Sequence, residues 1–205
     1  MFRGKKKKKQ ILNQAFADLK RNLMENLSPE DKTLLFTASS EEVTKTSPVL
    51  NLGRSLVKDG KKVLLIDMNL RSPLLSKISK VELKEGFSAI LVEGIPYENT
   101  ITKDLYEKDL DLILSGRAMK NPDDFLQIST LRNLLGSLRE RYDYILIDSP
   151  SNVAYPDANM ISQSVDKVIL FTNEKDKNKG LTNQALGKLE EMDAEILGLI
   201  ETSVK

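Results

Sequence analysis

The chain has no cysteine and no histidine. The first absence excludes disulfides, thiol chemistry and cysteine-based zinc sites, and the second removes imidazole acid–base catalysis. A cysteine-free composition suits a reducing cytoplasm. No apolar run approaches the ~20 residues that a membrane-spanning helix needs. The segment after the first lysines, ILNQAFADLK, is broken by polar residues and is not a signal-peptide core. Basic residues interleaved with aromatics are also missing, so nucleic acid is not an expected partner. These absences point to a cytoplasmic protein, at most peripheral at the inner face of the cell membrane.

What is present is enough for one core: 205 residues, of which 40% are hydrophobic. The net charge of +1 conceals an asymmetry. Arg3 and Lys5 to Lys9 place six positive charges at the start, leaving 25 basic against 30 acidic residues, a net of −5 for the rest. Residues 1–9 therefore read as a basic tail and 10–205 as the folded domain. Attraction of Lys5 to Lys9 to an anionic membrane surface is worth about 1 kcal/mol per basic residue close to the lipid.

An amphipathic helix is expected over 10–27, with Ile11, Leu12, Ala15, Phe16, Leu19, Leu23 and Leu27 at helical spacing. Short apolar runs then alternate with helical patterns. The expected strands are LLFTA (34–38), VLLI (63–66), LDLIL (110–114), YILI (144–147), KVILFT (167–172) and EILGLI (195–200). Helices are expected near 48–58, 86–92, 122–140, 157–164 and 178–192, with 72–85 and 94–109 as surface connections. Strands apolar throughout and separated by helices indicate an α/β fold, a doubly wound, mostly parallel sheet covered on both faces.

Ligands of such sheets bind beyond the carboxyl ends of the strands. There the first run leads into SSEEVTKTSPVLN (39–51), the second ends in Asp67 and the fourth in Asp148. A strand followed by Lys-Thr at the start of a helix is where a phosphate loop belongs. Backbone N–H groups there face an anion, the lysine reaches outer phosphates, and the hydroxyl ligates Mg²⁺. Lys45 and Thr46 fit these roles, within a candidate nucleotide loop that includes Ser40, Glu42, Thr44 and Ser47. Thr46, Asp67 and Asp148 are the candidate metal ligands, and Lys45 and Asp67 the candidate catalytic pair.

The succession AFADLKRN, Lys-Thr loop, KKVLLIDMNLRSP, GFSAILVEG, LILSG…NPDDFL and LRERYDYILIDSP resembles the cytoplasmic domain of bacterial tyrosine kinases (BY-kinases). These enzymes, of the deviant P-loop superfamily, regulate capsule and exopolysaccharide synthesis. The resemblance spans roughly residues 11–200. It implies ATP and Mg²⁺ as cofactors, a membrane adaptor or polysaccharide co-polymerase as partner, and ring-like homo-oligomers. It also implies that Lys45 and Thr46 bind phosphate and metal, that Asp67 activates the attacking hydroxyl, and that Asp148 lies near the metal.

The departures from the family pattern are concentrated in functional segments. Glu42 and Thr44 stand where the phosphate loop carries glycine, and Asn69 replaces the second acid of Asp-x-Asp. Gln14, Ala17 and Lys20 stand in place of the ring-assembly Glu-x-x-Arg-x-x-Arg, and the chain ends LIETSVK without a tyrosine cluster. Left-handed backbone at a residue bearing a β-carbon costs about 1–2 kcal/mol. Glu42 facing a phosphate at ~5 Å and an effective dielectric of ~20 would add about 3 kcal/mol. The expectation is ATP affinity weakened by two to three orders of magnitude, leaving a regulatory or partner-binding module. An active ATP-dependent tyrosine kinase is the alternative. A partition-type ATPase is a third reading, opposed by Glu41 at the position of that group's signature lysine.

Overall fold

A computed structural model describes residues 16–81 and 85–202. The basic tail, the first turns of the expected opening helix, and Gln14 lie outside the described residues. Residues 16–26 are helical (α1). The chain continues as β1 (Thr33–Ala38), α2 (Thr46–Lys58), β2 (Val63–Asp67), α3 (Leu74–Ser79), α4 (Phe87–Glu93), β3 (Ile101–Thr102) and β4 (Leu110–Ile113). It ends with α5 (Ile128–Arg139), β5 (Tyr144–Ser151), α6 (Asp157–Ser162), β6 (Lys167–Thr172), α7 (Glu174–Asn178), α8 (Leu181–Glu190) and β7 (Ile196–Glu201).

The seven strands lie in the order β3-β4-β2-β5-β1-β6-β7. Every pairing is parallel except that of the two-residue β3 with β4. Alternate residues of the central strands enter opposite cores, as the two-residue period of a strand requires. Leu34, Phe36, Leu65, Leu112 and Leu146 pack with Leu23 of α1 and with Val49, Leu52 and Leu56 of α2. Leu35, Leu64, Ile66, Ile113 and Ile147 pack with Leu131, Leu135 and Leu138 of α5, Ile161 of α6 and Leu189 of α8. The doubly wound expectation therefore holds, and it explains why the central strands have no polar face.

Four local expectations are revised. Residues 72–85 contain α3, whose six residues are too few to display a period, and Lys80 closes it in the left-handed conformation at φ 56°. Residues 94–109 contain β3, which is held by β4 and not by an alternation of its own. The expected helix over 122–140 is a single 3-10 turn, Pro122–Asp124, followed by α5. The expected helix over 178–192 is α8, which starts after Gly180 at φ 74°, and the short α7 before it was not expected.

The GFSA and LSG segments meet at the end of β4. Phe87 N donates to Leu114 O at 2.8 Å and Ser88 N to Ser115 O at 2.9 Å. A β-carbon on Gly86 would lie 2.4 Å from Gly116 N, so the backbones approach too closely for any side chain there. At the opposite rim Asp166 ties the amino ends of β1 and β6 to α5. It accepts hydrogen bonds from Lys32 N, Thr33 N and Thr33 Oγ1 at 2.9, 2.8 and 2.7 Å, and from Arg139. Burial alone would raise its pKa, but the hydrogen bonds from Arg139, Thr33 and Lys32 hold it below the ordinary carboxylate value. Asp166→Ala leaves those donors unpaired, and the expected loss is about 2–3 kcal/mol of unfolding free energy in urea titrations.

Candidate phosphate-binding site

β1 delivers the chain to the carboxyl rim, where Ser39 N donates to Phe171 O of β6 at 2.9 Å. Residues 40–45 then turn into α2, whose N-cap is Lys45. Pro48 lies in the first turn, where the missing N–H has no intrahelical partner to lose. The adjacent strands β2 and β5 set Asp67 directly opposite Asp148. The three expected positions converge.

Lys45 is 5% exposed, and its Nζ lies 2.9 Å from Asp148 Oδ1. Thr46 Oγ1 donates to Asp148 Oδ2 at 2.6 Å. Asp148 thus receives both side chains assigned to phosphate and metal. Asp67 is fully buried, and one of its oxygens accepts from Asn69 N at 3.2 Å. Its pKa is pushed up to about 7, by burial first and by the neighbouring Asp148 second. Asn69 does not face Asp67 as a second acid; its side-chain oxygen accepts from Ser72 N at 3.2 Å and shapes the turn after β2.

A cleft of about 350 Å³ opens over this rim, lined among others by Ser40, Glu41, Thr44, Lys45, Thr46 and Asn69. Seven buried side-chain polar atoms lack a hydrogen-bond partner among the described residues. Three belong to this region: Ser40 Oγ, Asp67 Oδ2 and Asp148 Oδ1, of which the last is met by the Lys45 ion pair alone. Such atoms are costly unless something else satisfies them. Two carboxylates and a threonine hydroxyl suit Mg²⁺, which takes one or two carboxylates and completes its shell with water and phosphate. Among the described residues no group of three or more acidic side chains is placed to hold a metal ion. A second cleft, about 400 Å³, lies at the opposite rim beside Asp31, Asp166 and Glu195, away from the strand ends that carry the chemistry.

Other expected site residues are placed differently. Glu42 does not line the cleft; it pairs with Lys175 of α7 at 2.5 Å, and that partner lowers its pKa. Ser47 is exposed on α2 and is also outside the lining. Among the described residues, the non-glycine positions with positive φ are Lys80, Asp104, Asp109 and Asp193, none of them in the loop. Glu42 and Thr44 therefore carry no left-handed strain, and the loop lacks the alternating-hand backbone of an anion-binding nest. Both penalties calculated for Glu42 from the sequence are accordingly removed.

The remaining surroundings were not foreseen. Arg71 is clamped: Nε donates to buried Asp157 at 2.9 Å, Nη1 to Lys120 O at 2.6 Å and Nη2 to Asp123 at 2.5 Å. Its guanidinium lies 4.5 Å from the ring centre of Tyr155, whose hydroxyl donates to Glu41 at 3.1 Å. On the other side of the loop, Ser39 Oγ donates to buried Asp176 of α7 at 2.6 Å. Lys177 of the same helix pairs with Glu201 of β7.

Residues 33–196 match the family described as AAA domain. The chain belongs to the AAA domain family. Among relatives, it is 28% identical over 169 residues to the tyrosine-protein kinase CpsD of Streptococcus pneumoniae, covering 82% of this chain and 74% of that one. It is 26% identical over 174 residues to the tyrosine-protein kinase YwqD of Bacillus subtilis, covering 85% and 73%. The crystal structure of the VpsO kinase domain superposes with a TM-score of 0.84 at 27% identity, covering 98% of both chains. The similarity to bacterial tyrosine kinases indicated by the motifs is thus met in sequence and in fold. This AAA domain protein brings Lys45, Thr46, Asp67 and Asp148 together at one rim. No helix among the described residues is long and apolar enough to cross a membrane.

Two outcomes follow for the site's electrostatics. A carboxyl whose folded pKa is raised contributes stability that is complete below its unfolded value, ~3.9, and is lost as pH rises through the folded value. Asp67→Asn should therefore flatten the fall in Tm between about pH 4 and pH 7, and melt higher than wild type above pH 7. Lys45→Ala strands Asp148 as an unpaired buried charge and should cost about 3–5 kcal/mol in chemical denaturation. Lys45→Ala combined with Asp148→Asn should recover most of that loss.

Proposed function

We propose that this chain is a capsule- or exopolysaccharide-associated member of the bacterial tyrosine kinase group with weakened ATP binding, acting as a regulatory or partner-binding module. The observation that carries the reading is the contact of Lys45 with Asp148 at 2.9 Å, with Thr46 on the same carboxylate. The cation meant for outer phosphates is already neutralised. A ligand must compete with a buried acid for it, and the loop around it offers no left-handed nest to compensate. The replacement of Asp by Asn69 removes a further carboxylate from the rim.

Mg·ATP, when bound, supplies the transferable phosphoryl group and the charge of the metal. Lys45 would then hold phosphate, Thr46 and Asp148 the metal shell, and Ser40 Oγ and Thr44 the loop side of the cleft. Asp67 can take a proton from a hydroxyl only in its ionised form, which its pKa of about 7 makes a fraction of the population at neutral pH. The partners that fit the reading are a membrane adaptor or polysaccharide co-polymerase, further copies of the chain, and an anionic membrane surface for Lys5 to Lys9.

The active kinase is the second reading, favoured by the convergence of Lys45, Thr46, Asp67 and Asp148 and by the unstrained loop. Calorimetric titration with Mg·ATP separates the two. Affinity in the high-micromolar to millimolar range, with no phosphotyrosine formed on the chain or on an added tyrosine substrate, is the expected result. Micromolar affinity abolished by Lys45→Ala would overturn it.

A further inference from the structure

Glu41 is the acidic residue of the loop that lines the cleft, whereas its neighbour Glu42 pairs with Lys175. A surface carboxylate ordinarily swings into water, but Glu41 is tethered. Its Oε1 accepts the hydroxyl of Tyr155 at 3.1 Å, and the Tyr155 ring lies against Arg71 at 4.5 Å. Arg71 is itself held by buried Asp157 at 2.9 Å, by Asp123 and by Lys120 O. Tyr155 also lies three residues before the buried alanine Ala158 of α6, on the turn that follows β5. One tyrosine therefore links the loop after β1, the turn after β2 and the turn after β5. The hydrogen bond to Glu41 also raises the Tyr155 phenol pKa, as a donor to a carboxylate should be raised.

We infer that Glu41, clasped by Tyr155 on the Arg71 platform, is a specificity-determining carboxylate that repels highly charged phosphate ligands from the cleft. The inference rests on the nucleotide-pocket reading above and assigns one residue the discrimination among its ligands. A unit charge held ~10 Å from a phosphate, at an effective dielectric of ~20, changes affinity by about tenfold. The change grows with the ligand's charge. Glu41 thus disfavours a triphosphate more than a diphosphate, and a metal-free nucleotide more than its Mg²⁺ complex. Tyr155 acts through Glu41 and is a positioning residue.

The test is calorimetry of full-length wild type, Glu41→Gln, Tyr155→Phe and Glu42→Gln with ATP and ADP, each with and without Mg²⁺. Glu41→Gln should bind Mg·ATP about tenfold tighter than wild type, with a larger gain for metal-free ATP than for ADP. Tyr155→Phe should give a smaller gain in the same order, and Glu42→Gln none. Equal affinities for Glu41→Gln and wild type overturn the inference, as does an equal gain from Glu42→Gln. A thermal-stability double-mutant cycle between Glu41 and Tyr155 supplies a readout without nucleotide. Coupling in that cycle with no nucleotide bound by any variant overturns the gate and locates the failure in the pocket reading. Nucleotide binding without coupling overturns the clasp alone.

Discussion

A buried positive charge and two buried carboxylates share the rim where β1, β2 and β5 end. Lys45 against Asp148, with Asp67 opposite on the next strand, is the arrangement on which the rest of the site depends. Removing three charged groups from water is costly, and an arrangement with two acids and one base is tolerable only if one acid can hold a proton. The raised pKa of Asp67 meets that condition. The rim is therefore close to charge balance without a ligand. Metal and phosphate together would have to replace an existing balance instead of filling a deficit.

The same balance changes what the loop after β1 contributes to the rim. From the sequence, the lost glycines weaken the site through backbone strain and through Glu42. In the structure neither operates, because no loop residue is left-handed and Glu42 is drawn to Lys175. The charges that face the cleft are instead Lys45, already paired with Asp148, and Glu41. Glu42 and Thr44 are accommodated in the loop without left-handed backbone.

The sheet and the meeting of Lys45, Thr46, Asp67 and Asp148 were legible because they obey local rules. Apolar runs of four or five residues mark buried strands, and Asp67 and Asp148 each follow one directly. Lys45 and Thr46 stand at a strand-to-helix turn, a context visible in the chain. What escaped depends on contacts distant in sequence. Glu42 finds its partner 133 residues away, and Glu41 meets Tyr155 across 114. Arg71 gathers Asp123 and Asp157 across 52 and 86 residues. Short elements such as α3, and breaks such as Gly180, carry too few residues to print a period.

The small helix α7 gives the loop mechanical reach. It grips residues 39 and 42 through Asp176 and Lys175, and holds the outermost strand through Lys177 and Glu201. The loop after β1 is thereby tied, through one five-residue helix, to the border strand β7 on the far flank of the sheet.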